Sequence, residues 1–316
     1  MKASKLFTLS IIAIGVLVIL LEAPLASAAP VPPPFDLHAC GLTARAVLKT
    51  ARHEAHGDYW LKVANALNGP LVEMPGALRE AWGELQEDLE LANDQFQARL
   101  DVCEELGHGP YNPDLDPVDF SFTVDNNFFP LVPGRTLAYE KLTPEGLERV
   151  EFTTLNETVD IDGFECRVVN DIETLDGEVT EDTLDWFAQQ DTGDVWYFGE
   201  ISRNYEDGFL DNLEGSWRTG REDAKPGYLM LAAPAIDDFY RQEYFIAEAE
   251  DVARVISLNE TVVVPYGTYH NCLQTLEWSP LEPGNVEYKY YAPGIGLVLE
   301  VDPDSGERLE LVDIIN

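Results

Sequence analysis

From His38 to about Asn68, apolar residues recur every three or four positions against an alanine-rich background. That is the period of an amphipathic helix. A second stretch of this kind, dense in Leu, Glu, Gln and Ala, runs from about Gly76 to Leu106 and is built from strong helix formers. Gly69-Pro70 and Pro75-Gly76 break the pattern between them. The pattern predicts an antiparallel helical hairpin over residues 38–107. Residues 108–119, within Gly-His-Gly-Pro-Tyr-Asn-Pro-Asp-Leu-Asp-Pro-Val-Asp, are too rich in Gly and Pro for regular structure and read as a linker. From residue 120 to 316 the character changes again. Short runs of Val, Ile, Thr, Tyr, Phe and Trp are punctuated by Gly, Pro, Asn and Asp, the composition of strands and hairpins. Strands that follow one another without long helices pair antiparallel.

One phrase occurs twice in this region: Leu155-Asn156-Glu157-Thr158-Val159 and Leu258-Asn259-Glu260-Thr261-Val262. Each copy leads to a glycine turn (Gly163; Gly267) and then to a cysteine (Cys166; Cys272). Each closes with an aromatic strand, a glycine turn and another strand: Trp186-Phe187-Ala188 to Val195-Trp196-Tyr197-Phe198, and Tyr288-Lys289-Tyr290-Tyr291 to Leu297-Val298-Leu299. The agreement in order points to two internal repeats, at about 135–201 and 238–313. The segment between them, 202–237, reads as an irregular connection that packs back on the sheet. The expected fold is therefore α+β: an N-terminal antiparallel helical hairpin, then a curved antiparallel β-sheet, half-barrel or barrel-like, built from two repeats. In Val195-Trp196-Tyr197-Phe198 large side chains point to both faces. One face could be the concave interior and the other could be covered by a helix.

The first 28 residues have the layout of a secretory signal peptide. Lys2 and Lys5 precede the apolar run Leu6 to Leu21, and Ala26-Ser27-Ala28 forms a small-x-small cleavage site. A proline-rich stem follows at 29–37. The implied location is outside the cytoplasm, periplasmic or extracellular, with no stable membrane span after cleavage. In such an oxidising compartment cysteines pair. Cys40 and Cys103 are almost equidistant from the turn between the helices, so they should meet at the open end of the hairpin. Exclusion then pairs Cys166 with Cys272.

The 316 residues carry 58 Asp and Glu against 20 Lys and Arg, a net charge of −38. That opposes binding to nucleic acid or to anionic membranes. The acids are spread along the chain, which reads as solvated surface; cation binding is the functional alternative. His53-Glu54-Ala55-His56 is the best candidate for metal chemistry. The spacing is one residue short of a metalloprotease pair, but histidines at i and i+3 share a helix face. Glu87 and Glu90 on the second helix would lie opposite. Asp160-Ile161-Asp162-Gly163 and Asp302-Pro303-Asp304-Ser305-Gly306 lack the spacing of a calcium loop and read as turns. No nucleophile elbow and no phosphate-binding glycine loop is present.

The aromatic residues carry more weight. Trp186, Phe187, Trp196, Tyr197, Phe198, Tyr288, Tyr290 and Tyr291 fall on the closing strands of both repeats. If Trp186, Trp196, Phe198, Tyr288 and Tyr290 line a shared concavity, they form an aromatic site for an apolar or amphipathic ligand; otherwise they fill a core. The segments Asp185-Trp186-Phe187-Ala188-Gln189-Gln190-Asp191, Val195-Trp196-Tyr197-Phe198-Gly199-Glu200 and Tyr290-Tyr291-Ala292-Pro293-Gly294-Ile295-Gly296-Leu297-Val298 resemble those of a group of exported bacterial proteins of unknown function. That resemblance implies no activity. In strand order the chain is also similar to the curved sheets of periplasmic lipoprotein carriers and related lipid-binding proteins, which implies an acyl chain held in a concave face. The expected function is an exported, non-catalytic binding or carrier protein for a small apolar or amphipathic ligand, with no cofactor. A structural or interaction protein of the cell envelope is the alternative. A metal-dependent enzyme at His53 and His56 is the third.

Overall fold

The computed structural model describes residues 38–316, so the expected signal peptide and proline-rich stem lie outside the described residues. Two helices, α1 (Ala39–Asn68) and α2 (Met74–Leu106), form the expected antiparallel pair. Small buried residues allow their close approach: Ala44, Ala55 and Ala66 on α1, Ala81 and Ala92 on α2, with Leu85, Phe96 and Val102 filling the rest. The Cys40–Cys103 disulfide closes the open end, with Cα atoms 5.9 Å apart. Joining residues 63 apart in sequence, it removes chain entropy from the unfolded state worth ~4 kcal/mol. Among the described residues, no helix is long and apolar enough to cross a membrane.

The strands are β1 (Phe120–Ser121), β2 (Thr136–Leu142), β3 (Leu147–Ile161), β4 (Phe164–Leu175), β5 (Glu178–Gln190), β6 (Val195–Glu206), β7 (Phe209–Asn212), β8 (Trp217–Arg218), β9 (Lys225–Met230), β10 (Phe239–Arg241), β11 (Glu243–Tyr244), β12 (Val252–Val264), β13 (Gly267–Trp278), β14 (Glu287–Ala292), β15 (Gly296–Val301) and β16 (Arg308–Ile315). They pair antiparallel in the order β10-β12-β13-β14-β15-β16-β2-β3-β4-β5-β6-β9-β11. The two ends of that path, β10 and β11, are separated in the chain by Gln242 alone, so the sheet curls into a nearly closed barrel. At this seam β9 lies so close to the chain that a Cβ on Gly227 would stand 2.4 Å from the Gln242 carbonyl oxygen. Only glycine permits the approach. The segment 202–237 is more regular than its sequence suggests. It contributes β7, β8 and β9, and it buries Trp217 and Met230 in the main core.

The repeated Leu-Asn-Glu-Thr-Val phrase has one structural role in both places. In β3 the register with β4 slips between Thr154 and Thr158. In β12 the register with β13 slips between Ser257 and Thr261. Both are bulges, which bend a long strand and increase its twist, as barrel closure requires. The two Asp-rich stretches are turns. Asp162 and Gly163 both take positive φ, and the Asp302 carboxylate accepts from the backbone N–H groups of Asp304 and Ser305.

Two expectations are corrected. Cys166 and Cys272 are both buried thiols, not a disulfide. Cys166 packs with Ile161, Phe164 and Phe198, whereas Cys272 packs with Val262 and Val264 in a separate cluster. Five strands intervene between β4 and β13 along the sheet. Matching places in sequence are not neighbouring places in the barrel. Burial pushes both thiols up from their ordinary pKa, so they are poor nucleophiles. The second correction concerns the outer face of β5 and β6. No helix covers it. Phe120 does, packing edge-on to Phe164, Trp196 and Phe198 at 5.0–6.3 Å between ring centres, together with Leu115 and Tyr228. The helical pair is attached elsewhere, through a buried ion pair in which Arg99 Nε and Nη2 donate to Glu250 at 2.8–3.0 Å.

Candidate functional site: the lumen of the barrel

Strand alternation sends every second residue inward. On β2 these are Leu137, Tyr139 and Lys141; on β3, Phe152, Val150 and Glu148 lie directly opposite them. On β4 the inward series is Val169, Asp171 and Glu173, and on β14 it is Tyr291, Lys289 and Glu287. Each strand thus grades from apolar to charged in the same sense. The result is a cavity of about 520 Å³. Phe129, Leu131, Phe187, Leu229, Ile295 and Leu297 wall its apolar part. The remainder of the wall is acidic: nine carboxyl side chains against two lysines, Lys141 and Lys289.

The environment of these acids departs from that of surface carboxylates. Burial and repulsion from Glu181 and Glu200 raise Asp171 to about 7. Burial, with repulsion from Asp171, Glu181 and Glu148, raises Glu173 to about 8. Burial raises Asp185 well above its ordinary value and raises Glu200, which stands beside Asp185 just off the cavity wall, to about 7. The Tyr197 hydroxyl lies 2.6 Å from both Asp185 Oδ1 and Glu200 Oε2. One hydroxyl has one proton to give. When it donates to one carboxyl, the other must carry a proton to donate back. This trio is therefore a shared-proton site rather than a doubly charged one.

Lys289 stands 3.5 Å from each of Glu277, Glu287 and Glu300, and their attraction keeps its pKa well above normal despite burial. Glu277 is further held by the hydroxyls of Thr275 and Tyr291 and by the amide of Gln242. Asp171 is the exception to this pairing. Its Oδ1 is buried with no hydrogen-bond partner, on a wall of the cavity.

The aromatic strands were correctly located, but the facing residues are one position away from those expected. Trp186, Trp196 and Phe198 sit on the outside, packed in the cluster with Phe164 and Cys166. Phe187 and Tyr197, their neighbours in sequence, line the lumen. Tyr288 and Tyr290 are half-buried and off the cavity wall, where Tyr290 accepts a hydrogen bond from Gln274; Tyr291 lines the wall instead. Large residues on both faces gave no parity signal. The series Leu137-x-Tyr139-x-Lys141 and Val169-x-Asp171-x-Glu173 held it.

His53, His56, Glu87 and Glu90 are all exposed on the helices. His56 Nδ1 lies 2.7 Å from the Arg52 carbonyl oxygen, which turns that ring along its own helix. Among the described residues, no three His, Cys, Asp or Glu side chains converge as a metal ion would require, so the structure does not bring this set together. The luminal carboxyls are likewise distributed along the wall rather than gathered at a point.

No known family pattern matches the chain, and no curated protein matches it. Among solved structures it is similar to "a putative lipoprotein from Parabacteroides distasonis ATCC 8503", with 13% identity and a TM-score of 0.34 over 60% of this chain and 99% of that one. A likeness that loose speaks to neither site nor ligand.

Proposed function

We propose that the protein is an exported binding or carrier protein that holds an amphipathic molecule in the barrel lumen. The apolar body lies against Phe187, Phe152 and Leu297, and a positively charged end lies among the carboxyls. The observation that carries this reading is the hollow itself: about 520 Å³, graded from apolar to charged along β2, β3, β4 and β14. Pockets for small molecules are of this size and mix an apolar wall with a few polar groups. A filled core would not leave that space. Nine carboxyl side chains facing two lysines leave the wall short of positive charge, and an organic cation relieves the repulsion that raises Asp171 and Glu173. The spread of the carboxyls suits an extended organic cation better than a compact metal ion.

The first test is native mass spectrometry of protein purified from its own exported fraction without detergent. A mass excess of a few hundred daltons (roughly the mass of a pocket-sized ligand), lost on denaturation, is expected. Calorimetric titration with decylamine, decanol and decanoate then reads the charge preference, expected in that order of affinity. Tightest binding by decanoate would reverse the assignment of the polar end. No binding by any of the three, together with the bare protein mass, would remove the carrier reading.

A second reading rests on its own observation. The tip of the helical pair exposes Leu71 at 80% and Val72 at 86%, and Leu67, in the last turn of α1, is exposed as well. Apolar residues gathered in this way mark interaction sites, which favours a partner protein of the envelope docking there. If so, Leu71→Ser with Val72→Ser abolishes its capture by crosslinking in intact cells and leaves ligand binding in the lumen intact.

A further inference from the structure

Where the helical pair meets the barrel there is a second cavity of about 200 Å³, and its chemistry is the reverse of the lumen's. Arg99, Lys225 and Arg241 line it, with Glu250 as the one acid on its wall. In a chain with 58 acids and 20 basic residues, that excess of cations is unusual. Glu250 is already committed: it takes three hydrogen bonds from Arg99 and one from the Ala247 N–H. Lys225 Nζ donates to the Tyr111 carbonyl and to Asn112 Oδ1 and lies 5.9 Å from the Tyr244 ring, neutral partners that bring no opposite charge.

Arg241 is the decisive residue. It is 8% exposed, and its Nη1 is buried without a hydrogen-bond partner. Its guanidinium stacks over Tyr111 at 5.6 Å and Tyr244 at 4.9 Å, which orients the fork without using its donors. A buried arginine normally finds a carboxylate or phosphate, because removing the charge from water is otherwise costly. Here the described residues on the cavity wall supply none that is free. The opposite wall is apolar, made by Ala44, Val47, Leu106 and Ile246. At ~30 Å³ per water in the liquid, the space suits a ligand of roughly half a dozen non-hydrogen atoms.

We propose that this cavity binds a small carboxylate, with the oxyanion on Arg241 and Lys225 and a short apolar tail against α1 and α2. The site is independent of the luminal one. An occupant would join residues of both helices to residues of β9, β10 and β11, so it would also tighten the attachment of the helical pair to the barrel.

The test uses full-length mature protein labelled with ¹⁵N-arginine and titrated with butyrate at constant ionic strength, with butanamide as the uncharged counterpart. The expected result is a saturable shift of the Arg241 Nε–H signal with butyrate and none with butanamide. Arg241→Gln should weaken butyrate roughly tenfold or more. No saturable shift, equal binding of butanamide, or unchanged affinity in Arg241→Gln overturns the proposal. If Arg241→Gln does not fold, Lys225→Gln at the half-buried rim decides. A severalfold loss of affinity supports the site, and an unchanged affinity overturns it. Inorganic phosphate saturating the same signal more tightly than butyrate would overturn the carboxylate assignment.

Discussion

The two faces of β5 and β6 are made of the same residue types, one position apart, and do different things. Outside, Trp186, Trp196 and Phe198 meet Phe120, Phe164 and Tyr228 and fill their space; Trp196 is 2% exposed. Inside, Phe187 and Tyr197 share a wall with carboxyls and border a hollow. An aromatic stripe is thus a core on the convex side, where a strap of chain can be laid on it, and a pocket wall on the concave side, where closure holds opposing walls apart. What marks the concave face is not aromatic content but the charged residue two positions from Tyr139, Val150, Val169, Phe187 and Tyr291.

The sharpest way to break the comparison is to truncate both faces. Trp196→Ala removes a fully packed side chain and should cost about 3–5 kcal/mol, read as a lower denaturation midpoint with decylamine affinity unchanged once folded. Phe152→Ala removes a half-buried ring that lines the lumen. It should cost about 1–2 kcal/mol and weaken decylamine at least tenfold. Equal stability losses, or the reverse order, would mean that the inner face is a packed core after all.

The second contrast is in pH dependence. Asp171, Glu200 and Glu173 titrate near 7, 7 and 8 in the folded protein, against about 4 when unfolded. Between those values the native state holds more protons than the unfolded chain, so stability falls as pH rises from about 4 to about 8. Calorimetry at fixed ionic strength should show the melting temperature dropping between pH 5 and pH 8.5, and saturating decylamine should reduce the drop. A melting temperature that rises over this range would mean that the luminal acids are satisfied without a ligand. Asp171→Asn sharpens the point. It should raise stability at pH 8 by on the order of 2 kcal/mol, have little effect at pH 5, and weaken the amine.

Much of this architecture was legible in the sequence. The period of 3.6 located both helices, the symmetric placement of Cys40 and Cys103 located their disulfide, and the aromatic strands marked the barrel wall. Four features were not legible, each for a physical reason. Parity was hidden because Val195-Trp196-Tyr197-Phe198 is large on both faces. Cys166 and Cys272 looked paired because elimination ignores distance, and barrel closure sends equivalent positions into separate clusters. The luminal acids were invisible within a total of 58 Asp and Glu, since a carboxylate in a lumen and one in water are the same letter. The seam depends on Gly227 meeting the Gln242 carbonyl, a contact that no local pattern encodes.

The smallest effect on stability, and the most specific to the inner face, belongs to Tyr197→Phe. The ring stays, so packing is kept, and the loss should be about 1 kcal/mol. The hydroxyl, however, gives its one proton to Asp185 or to Glu200, and each such donation favours the charged form of the carboxyl that receives it. Without it the carboxyl that received the bond holds a proton more tightly, and Glu200 should titrate above its present value of about 7. Carboxyl ¹³C NMR of the variant reads this directly. On the outer face, removing a polar contact such as the Trp196 indole N–H to Gln190 should leave every luminal titration where it was. A Glu200 midpoint that stays put in Tyr197→Phe would mean that burial and repulsion alone raise it. The trio would then be three crowded groups rather than a shared-proton site, and the charged end of the ligand would have to be sought nearer Asp171.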